Sequence, residues 1–339
     1  MEPNIWVVSF LGLGALVLLV VTANVAVKKL IGIASFFHLS STFMGMTVVS
    51  LATSIPEITA HLTASTNILR GTLDYEVGSA IVLGANIGSD VVQQTFILGL
   101  VVFIAGGLAF RRYFLWKSMI PMIGTTVMCI ILGVDRSYSR LDGAILFVTF
   151  VAYSYYLYID ERKHYRKEDN QHASEEIANN VPKNYRDVFI DTLVSVAMLT
   201  ITVFSASYVL SVTEMLVEQT GIGGSLLGVV TLGLASALPE LTTAISGVGN
   251  KEHGISIGTL IGSNITNPLV AIGGGALVST YYVPRPLVLW DLPWETLTGA
   301  ILWAVLWFTN GKLGKWGAIY LMVLYFVYLT SRALFFAVD

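Results

Sequence analysis

Residues Gly45 to Glu57 read GMTVVSLATSIPE, and residues Gly228 to Glu240 read GVVTLGLASALPE. The two segments are versions of each other, and each places Pro-Glu inside an otherwise apolar stretch. An ionised carboxylate in hydrocarbon is costly unless it is paired, hydrated or bound to a cation. We therefore expect Glu57 and Glu240 to be functional and to form one site.

The composition around these segments is that of a polytopic membrane protein, because 55% of the 339 residues are hydrophobic and only 12% are charged. The mean hydropathy is +0.72. The net charge of −3 says nothing about a nucleic-acid partner, and the lone Cys129 can form no intramolecular disulfide. Windows of about twenty apolar residues, enough to cross roughly 30 Å of hydrocarbon, predict ten helices near 5–27, 40–69, 77–104, 114–133, 139–159, 187–210, 222–248, 254–280, 292–310 and 315–337.

The basic residues predict the orientation, because Lys and Arg accumulate in cytoplasmic loops. With both termini outside, fourteen of the nineteen basic residues lie on the cytoplasmic side. The other five are Arg70, Arg136, Arg140, Arg285 and Arg332. We therefore expect the N-terminus and the C-terminus to lie outside.

A polar stretch from about Asp160 to Asp187 divides the chain into a first repeat, 1–159, a cytoplasmic linker, 160–186, and a second repeat, 187–339. Each half carries a second motif on its third helix, GANIGSDVVQ at 84–93 and GTLIGSNITN at 258–267. Five spans per half is an odd number, so the second repeat is inverted. The predicted fold is all-α, with two inverted five-helix repeats, which is typical of secondary transporters. Glycines alone are also explained by close helix packing, but their pairing with a buried Pro-Glu, twice and inverted, favours a site.

The motifs supply hard oxygen ligands. Proline at 56 and 239 cannot donate to the carbonyl four residues earlier, so each helix should kink and free a carbonyl for a cavity or an ion. Thr53 and Ser236 lie one turn before their glutamates. Two glutamates neutralise one divalent cation, and Ca²⁺ takes six to eight oxygen ligands. Softer metals are disfavoured, since no Cys, Met or His cluster accompanies the motifs. The third helices add the i, i+4 pairs Ser89 with Gln93 and Ser263 with Asn267.

Together these motifs resemble those of the cation/calcium exchanger superfamily, and in particular the short prokaryotic Na⁺/Ca²⁺ exchangers with ten helices and two α-repeats. The family patterns are close to GTSxPE and GxxxGSNxxN, and LATSIPE, IGANIGSDVVQ, LASALPE and IGTLIGSNITN stand in their places. The resemblance implies that Glu57, Glu240, Thr53 and Ser236 bind Ca²⁺. It further implies that nearby Na⁺ sites use these glutamates together with Ser54, Ser89, Ser263 and the backbone carbonyls of Ser50 and Gly233.

Some residues depart from the family pattern. Ala237 replaces a serine, Gln93 replaces an asparagine, and one Na⁺ site would then be missing or weakened. Asn267 is neutral where some relatives have aspartate. Asp90 replaces an asparagine and belongs either to the site or a proton relay, or is a hydrogen-bonded carboxyl between helices. His61, one turn beyond Glu57, is either a packing residue or a proton carrier.

The sequence therefore predicts an antiporter that moves Ca²⁺ outward against Na⁺, by alternating access in which the helices near 5–27 and 187–210 slide past a fixed site. An H⁺/Ca²⁺ antiporter of the same fold is the alternative. Two inverted motifs at one site argue against a channel. An intramembrane aspartyl protease would need a second intramembrane aspartate besides the one in Gly88-Ser89-Asp90, and Asp191 does not qualify because it is at a helix end. The sequence contains no P-loop motif, so an ATP-driven pump is not supported. We expect no enzymatic activity, no cofactor and no nucleic-acid or nucleotide partner, and a prokaryotic inner membrane as the location. The oligomeric state is not indicated.

Overall fold

The computed structural model describes residues 5–36, 45–164, 181–249 and 253–339. Helices dominate these residues. Seven of them are α1 (Ile5–Ser35), α3 (Tyr75–Ile104), α4 (Arg112–Leu132), α5 (Arg140–His164), α6 (Tyr185–Thr220), α7 (Gly224–Gly249) and α10 (Lys315–Phe335). Like α3, α4 and α7, the other three helices are made of consecutive pieces: α2 of Gly45–Val49, Ser50–Thr53 and Ile55–Leu69, α8 of His253–Thr266, Asn267–Ile272 and Gly273–Ser279, and α9 of Leu287–Asp291 and Leu292–Phe308.

Each predicted window overlaps one of these helices, although residues 40–44 of the second window lie outside the described residues. Seven helices of the described residues are long and apolar enough to cross a membrane, namely α1, α3, α4, α5, α6, α7 and α10. The chain is thus a multi-pass helical protein. The count of ten spans stays a prediction, because α2, α8 and α9 do not meet this criterion.

The helices flanking the predicted linker are longer than expected. Helix α5 continues through Glu161 to His164, and α6 begins at Tyr185. The predicted boundary at residue 159 marked the end of the apolar run, but Glu, Arg and Lys are good helix formers and extend the helix into the polar region. Residues 165–180 of the linker lie outside the described residues.

Four two-residue strands were not predicted from the sequence. They are β1 (Leu108–Ala109), β2 (Ser137–Tyr138), β3 (Tyr281–Tyr282) and β4 (Lys312–Leu313). β1 pairs with β4 and β2 with β3, both antiparallel. Because α4 separates β1 from β2, the two ribbons lie at opposite ends of the helix bundle. Gly311 permits the first ribbon, since it has φ +80° and an added Cβ would meet the Phe110 carbonyl oxygen at 1.9 Å.

Burial separates central from peripheral helices. Within its most apolar window α3 has 78% of its residues buried and α7 has 67%, against 17% in α5 and 28% in α10. In α3 every residue from Gly78 to Thr95 is buried. A helix that is buried all round lies in the middle of a membrane bundle, whereas the exposed apolar side chains of α5 and α10 suit contact with lipid. The motifs on α3 and α7 are therefore in the centre of the protein.

Two close crossings bring the motif helices together. On α3, an added Cβ at Gly84 would lie 2.1 Å from the carbonyl oxygen of Ser225 on α7. On α7, one at Gly228 would lie 2.2 Å from the carbonyl oxygen of Ile81. On α8, a Cβ at Gly262 would lie 2.8 Å from the Cβ of Ser50 on α2. Each glycine-motif helix thus crosses the Pro-Glu helix of the other half of the sequence at backbone contact.

A buried ion pair holds the beginning of α7. Arg332 and Asp291 are both inaccessible to solvent, with 2.9 Å between Nε and Oδ2. Tyr328 donates to the Asp291 carboxylate at 2.8 Å, and Arg332 Nη2 donates to the hydroxyl of Ser225. Removing one partner of such a buried pair is strongly destabilising. This network therefore fixes the start of α7 against α9 and α10.

The helices α1 and α6 form an antiparallel pair. The Thr22 and Thr202 hydroxyls are 2.9 Å apart, and Gly12 packs on the side chain of Val212. At one end of the pair, Lys29 Nζ lies 2.7 Å from Asp191 Oδ1. Phe10 on α1 and Phe204 on α6 are among the exposed apolar residues. The pair lies against the outside of the central helices.

Candidate cation site

Both Pro-Glu helices are interrupted one turn before the glutamate. In α2 the interruption is at Ser54, with φ −77° and ψ 4°, and in α7 it is at Ala237, with φ −77° and ψ −5°. The helix restarts at the next residue, with proline second and the glutamate third. Glu57 and Glu240 therefore lie in the first turn of a half-helix. There the free backbone N–H groups and the helix dipole favour negative charge.

The two glutamates are buried and only half satisfied. Glu57 is 2% exposed and Glu240 is 0% exposed. Ser89 donates to Glu57 Oε1 at 2.8 Å, and Ser263 donates to Glu240 Oε1 at 3.3 Å. In each carboxylate the second oxygen, Oε2, has no hydrogen-bond partner among the described residues. A buried carboxylate with a free oxygen is expensive, so the arrangement suits a bound cation or proton.

The two glutamates belong to one connected cluster. The Thr53 hydroxyl, on the helix of Glu57, is 3.3 Å from the hydroxyl of Ser263, which donates to Glu240. Ser236, on the helix of Glu240, lines the same small cavity as Glu57. Thr53 and Ser236 therefore each reach across to the other half, so that the side chains of both Pro-Glu helices meet in one cluster.

The third helices are cross-linked by their amides. Asn267 donates to Asp90 Oδ1 at 2.6 Å, and Asn264 donates to Gln93 Oε1 at 3.1 Å. Gln93 also donates to the Ser89 hydroxyl at 2.9 Å. Each end of the Gln93 amide therefore has a hydrogen bond within the protein, and one of these bonds holds the Ser89 hydroxyl in position. Asp90 accepts this hydrogen bond from the neighbouring α8, as expected for a hydrogen-bonded carboxyl between helices.

The predicted backbone ligands each carry a hydroxyl contact. Thr53 donates to the carbonyl of Ser50 at 3.2 Å, and Ser236 donates to the carbonyl of Gly233 at 3.3 Å. The side chain of Ser50 contacts the Thr266 hydroxyl at 2.8 Å. In contrast, the Ser54 hydroxyl is fully buried and has no hydrogen-bond partner among the described residues. It is therefore a free oxygen beside the interruption in α2.

His61 is held by a packing network. Its Nδ1 is 3.0 Å from the hydroxyl of Tyr281, and the two rings meet edge to face with centroids 5.4 Å apart. Ser65 contacts the same hydroxyl at 2.7 Å. This geometry agrees with the packing alternative for Nδ1, while Nε2 has no hydrogen-bond partner among the described residues. His61 also lines the cavity next to Glu57.

Sequence reasoning missed two side chains of the cluster. Asn264 ties Gln93 to α8, and Asn86 lines the cavity beside Glu57 with a buried, unpartnered Oδ1. A signal was available for Asn86, because it lies three residues before Ser89 on one face of α3. Asn86 lies within the motif GANIGSDVVQ, in which sequence reasoning considered the glycines and the later polar residues but not this asparagine.

Comparisons with known proteins identify the family and support the fold. The family described as "Sodium/calcium exchanger protein" matches residues 7–159 and 190–334. The inner membrane protein YrbG of Escherichia coli is 28% identical over 249 residues, covering 72% of this chain and 71% of the relative. The sodium/calcium exchanger MaX1 of Methanosarcina acetivorans is 23% identical over 350 residues, covering 93% and 95%.

Solved structures share the architecture. The sodium-calcium exchanger NCX_Mj superposes with a TM-score of 0.63 at 20% identity, over 95% of this chain and 99% of the other. The H⁺/Ca²⁺ exchanger CAX superposes with a TM-score of 0.76 at 15% identity, over 95% and 82%. At these identities the likeness establishes the fold and leaves the coupling ion open.

Proposed function

This chain is a member of the sodium/calcium exchanger protein family, and from that premise we propose that it exchanges Ca²⁺ for Na⁺ across the membrane at the cluster of Glu57 and Glu240. The observation that supports this most is the pair of unpartnered, buried Oε2 atoms. Two carboxylates close to each other cannot both stay unpaired in a medium of low dielectric. When Ca²⁺ leaves, other cations must replace it, and this requirement couples the two fluxes.

In the proposed site Ca²⁺ is held by Glu57 and Glu240 with the hydroxyls of Thr53 and Ser236. These are hard oxygen donors, as Ca²⁺ requires. Na⁺ would occupy neighbouring positions that share the glutamates. The remaining proposed Na⁺ ligands are Ser54, Ser89 and Ser263 with the carbonyls of Ser50 and Gly233. The free hydroxyl of Ser54 is the best supported of them, because a buried hydroxyl without a partner is otherwise unfavourable.

We further propose that the chain has ten spans in two inverted repeats with both termini outside. The support is the reciprocal crossing of α3 with α7 and of α8 with α2, together with ribbons at opposite ends of the bundle. Inverted repeats allow the same site to open alternately to each side. The α1–α6 pair is the proposed moving element, since it lies on the outside of the central helices and only a third of the most apolar window of each helix is buried.

The test is ⁴⁵Ca²⁺ uptake into proteoliposomes loaded with Na⁺, compared with acid-loaded vesicles without Na⁺ and with vesicles that have no gradient. We expect Ca²⁺ uptake into the Na⁺-loaded vesicles, which have an outward Na⁺ gradient, and none into the acid-loaded or gradient-free vesicles. Vesicles containing Glu57→Gln protein are the control for leak. An absence of Ca²⁺ uptake under both gradients would reject the proposed function.

The second candidate is H⁺/Ca²⁺ exchange, and one feature favours it. Asp90 adds a third carboxyl beside the cluster, 1% exposed and bonded to Asn267. A proton on one of the three carboxyls would balance charge when Ca²⁺ leaves. Uptake driven by acid loading without Na⁺ would select this function over Na⁺ exchange.

A further inference from the structure

A small cavity lies beside Glu57 between α2, α3 and α7. Three of its lining residues each have a buried side-chain atom without a hydrogen-bond partner among the described residues: Glu57 Oε2, Asn86 Oδ1 and His61 Nε2. Buried polar atoms are rarely left without partners in folded proteins. Three around a single cavity indicate a ligand.

The amide of Asn86 is oriented by the protein. Its Nδ2 donates to the carbonyl of Asn267 at 3.3 Å, and this contact leaves Oδ1 as the free atom. An amide oxygen can only accept a hydrogen bond or bind a cation. Asn86 and the Glu57 carboxylate therefore present two oxygens that both require a positive partner.

His61 can present a third lone pair. The Tyr281 hydroxyl, next to Nδ1, can donate its own proton to the His61 carbonyl at 3.1 Å or to Ser65. Tyr281 is then free to accept from Nδ1–H, and Nε2 becomes a lone pair. A cation at Nε2 selects this tautomer over the one in which Nε2 carries the proton.

Resting on the proposed function, we propose that Glu57, Asn86 and His61 form an accessory cation site for a first-row divalent transition-metal ion, with Mn²⁺ as the probe. With Nε2 as a lone pair, the three acceptors exceed the two protons of one water molecule, whereas a cation satisfies all three. An imidazole nitrogen suits first-row transition-metal ions such as Fe²⁺, Ni²⁺ and Zn²⁺, whereas Ca²⁺ takes oxygen ligands; Mn²⁺, which the two oxygens suit, serves as the paramagnetic probe. The site would let such an ion compete with Ca²⁺ for Glu57.

The other half of the molecule lacks this site. The positions equivalent to His61 and Asn86 are Ala244 and Leu260, both buried and apolar. The accessory site therefore belongs to Glu57 alone. It also supplies two replacements, His61→Ala and Asn86→Leu, that the protein already tolerates in the matching environment.

The test uses the purified full chain in nanodiscs with Mn²⁺, read by three-pulse electron spin echo envelope modulation. We expect ¹⁴N modulation from a bound imidazole in the wild type and its loss in His61→Ala. Asn86→Leu should keep the ¹⁴N signal but weaken Mn²⁺ binding about tenfold. His253→Ala, at the exposed start of α8, should retain both signal and affinity. Size-exclusion profiles of all variants establish that they are folded.

A second readout is the inhibition of Na⁺-driven ⁴⁵Ca²⁺ uptake by external Mn²⁺. We expect the Mn²⁺ preference relative to Ca²⁺ to fall about tenfold in His61→Ala and not to change in His253→Ala. No ¹⁴N modulation in the wild type, or modulation that survives in folded His61→Ala, would overturn the accessory site. Loss of Na⁺-driven uptake with an intact ¹⁴N signal would overturn only the proposed function.

Discussion

The two Pro-Glu helices have the same framework. Each is interrupted one turn before the glutamate, at Ser54 in α2 and at Ala237 in α7, with nearly identical backbone angles. Each glutamate accepts from the serine of its own half, Ser89 or Ser263. Asn267 and Gln93 occupy equivalent positions in the two glycine motifs, and each bonds across to the other half.

The chemistry placed on this framework differs. The first half has Ser54, His61 and Asn86 where the second has Ala237, Ala244 and Leu260. All three polar side chains have an unpartnered buried atom, and all lie on the side of Glu57. The symmetric parts fix where backbones cross and where the carboxylates lie. The asymmetric parts place unpartnered polar atoms around Glu57 and none around Glu240 at the matching positions. We therefore expect both glutamates to be required for transport, and the surroundings of Glu57 to decide which cations compete there.

The largest expected effect tests the shared part of the site. Glu57→Gln and Glu240→Gln each remove one of two charges while nearly preserving shape, so we expect each to lower ⁴⁵Ca²⁺ uptake at least about a hundredfold, which corresponds to about 2.7 kcal/mol. Glu76→Gln, at an exposed position at the start of α3, is the matched control. Normal flux in either site variant would show that its glutamate is not a ligand.

The next largest effect is on stability and distinguishes the two crossings. Gly84→Ala would push a Cβ to within 2.1 Å of a backbone oxygen, so we expect a loss of about 3 kcal/mol or more. Gly262→Ala meets a side-chain Cβ at 2.8 Å and should cost less. Thermal unfolding followed by size exclusion measures both. Gly124→Ala, with nothing within 4 Å, is the control, and equal melting temperatures for all three variants would contradict the crossing.

These two tests concern features that the sequence already indicated. The repeated Pro-Glu predicted the glutamate pair, and the hydroxyls one turn earlier followed from helical spacing, because both depend on local geometry. Apolar windows located the helices for the same reason. Membrane topology, in contrast, depends on charges at the ends of helices, and that part stays a prediction.

The sequence could not predict contacts made across the two halves. The bond from Asn264 to Gln93 and the ribbons β1–β4 and β2–β3 join residues more than 140 positions apart. Nothing local distinguishes a glutamine that binds an ion from one that holds a neighbouring serine. Similarly, Asn86 gains significance only because Asn267 orients its amide.

The bridge made by Gln93 gives a smaller effect. Asparagine is one methylene shorter and cannot span both Ser89 and Asn264, so one hydrogen bond should be lost, about 1 kcal/mol. We expect Gln93→Asn to raise the Ca²⁺ concentration for half-maximal uptake about fivefold. Gln219→Asn at the exposed end of α6 serves as the control. An unchanged Ca²⁺ dependence would show that the bridge from Ser89 through Gln93 to Asn264 does not support Ca²⁺ binding.

The smallest expected effect comes from a substitution that makes the two helix interruptions more alike. Ala237→Ser places in α7 the hydroxyl that Ser54 supplies in α2, and Ala237 is only 1% exposed. If a weakened Na⁺ site lies there, the hydroxyl should lower the Na⁺ concentration for half-maximal exchange about two- to threefold. Na⁺-dependent ⁴⁵Ca²⁺ uptake measures this, with Ala244→Ser as a buried control on the same helix. An unchanged Na⁺ response would mean that the remaining ligands already complete the site, and that the asymmetry at this position concerns the selectivity around Glu57 alone.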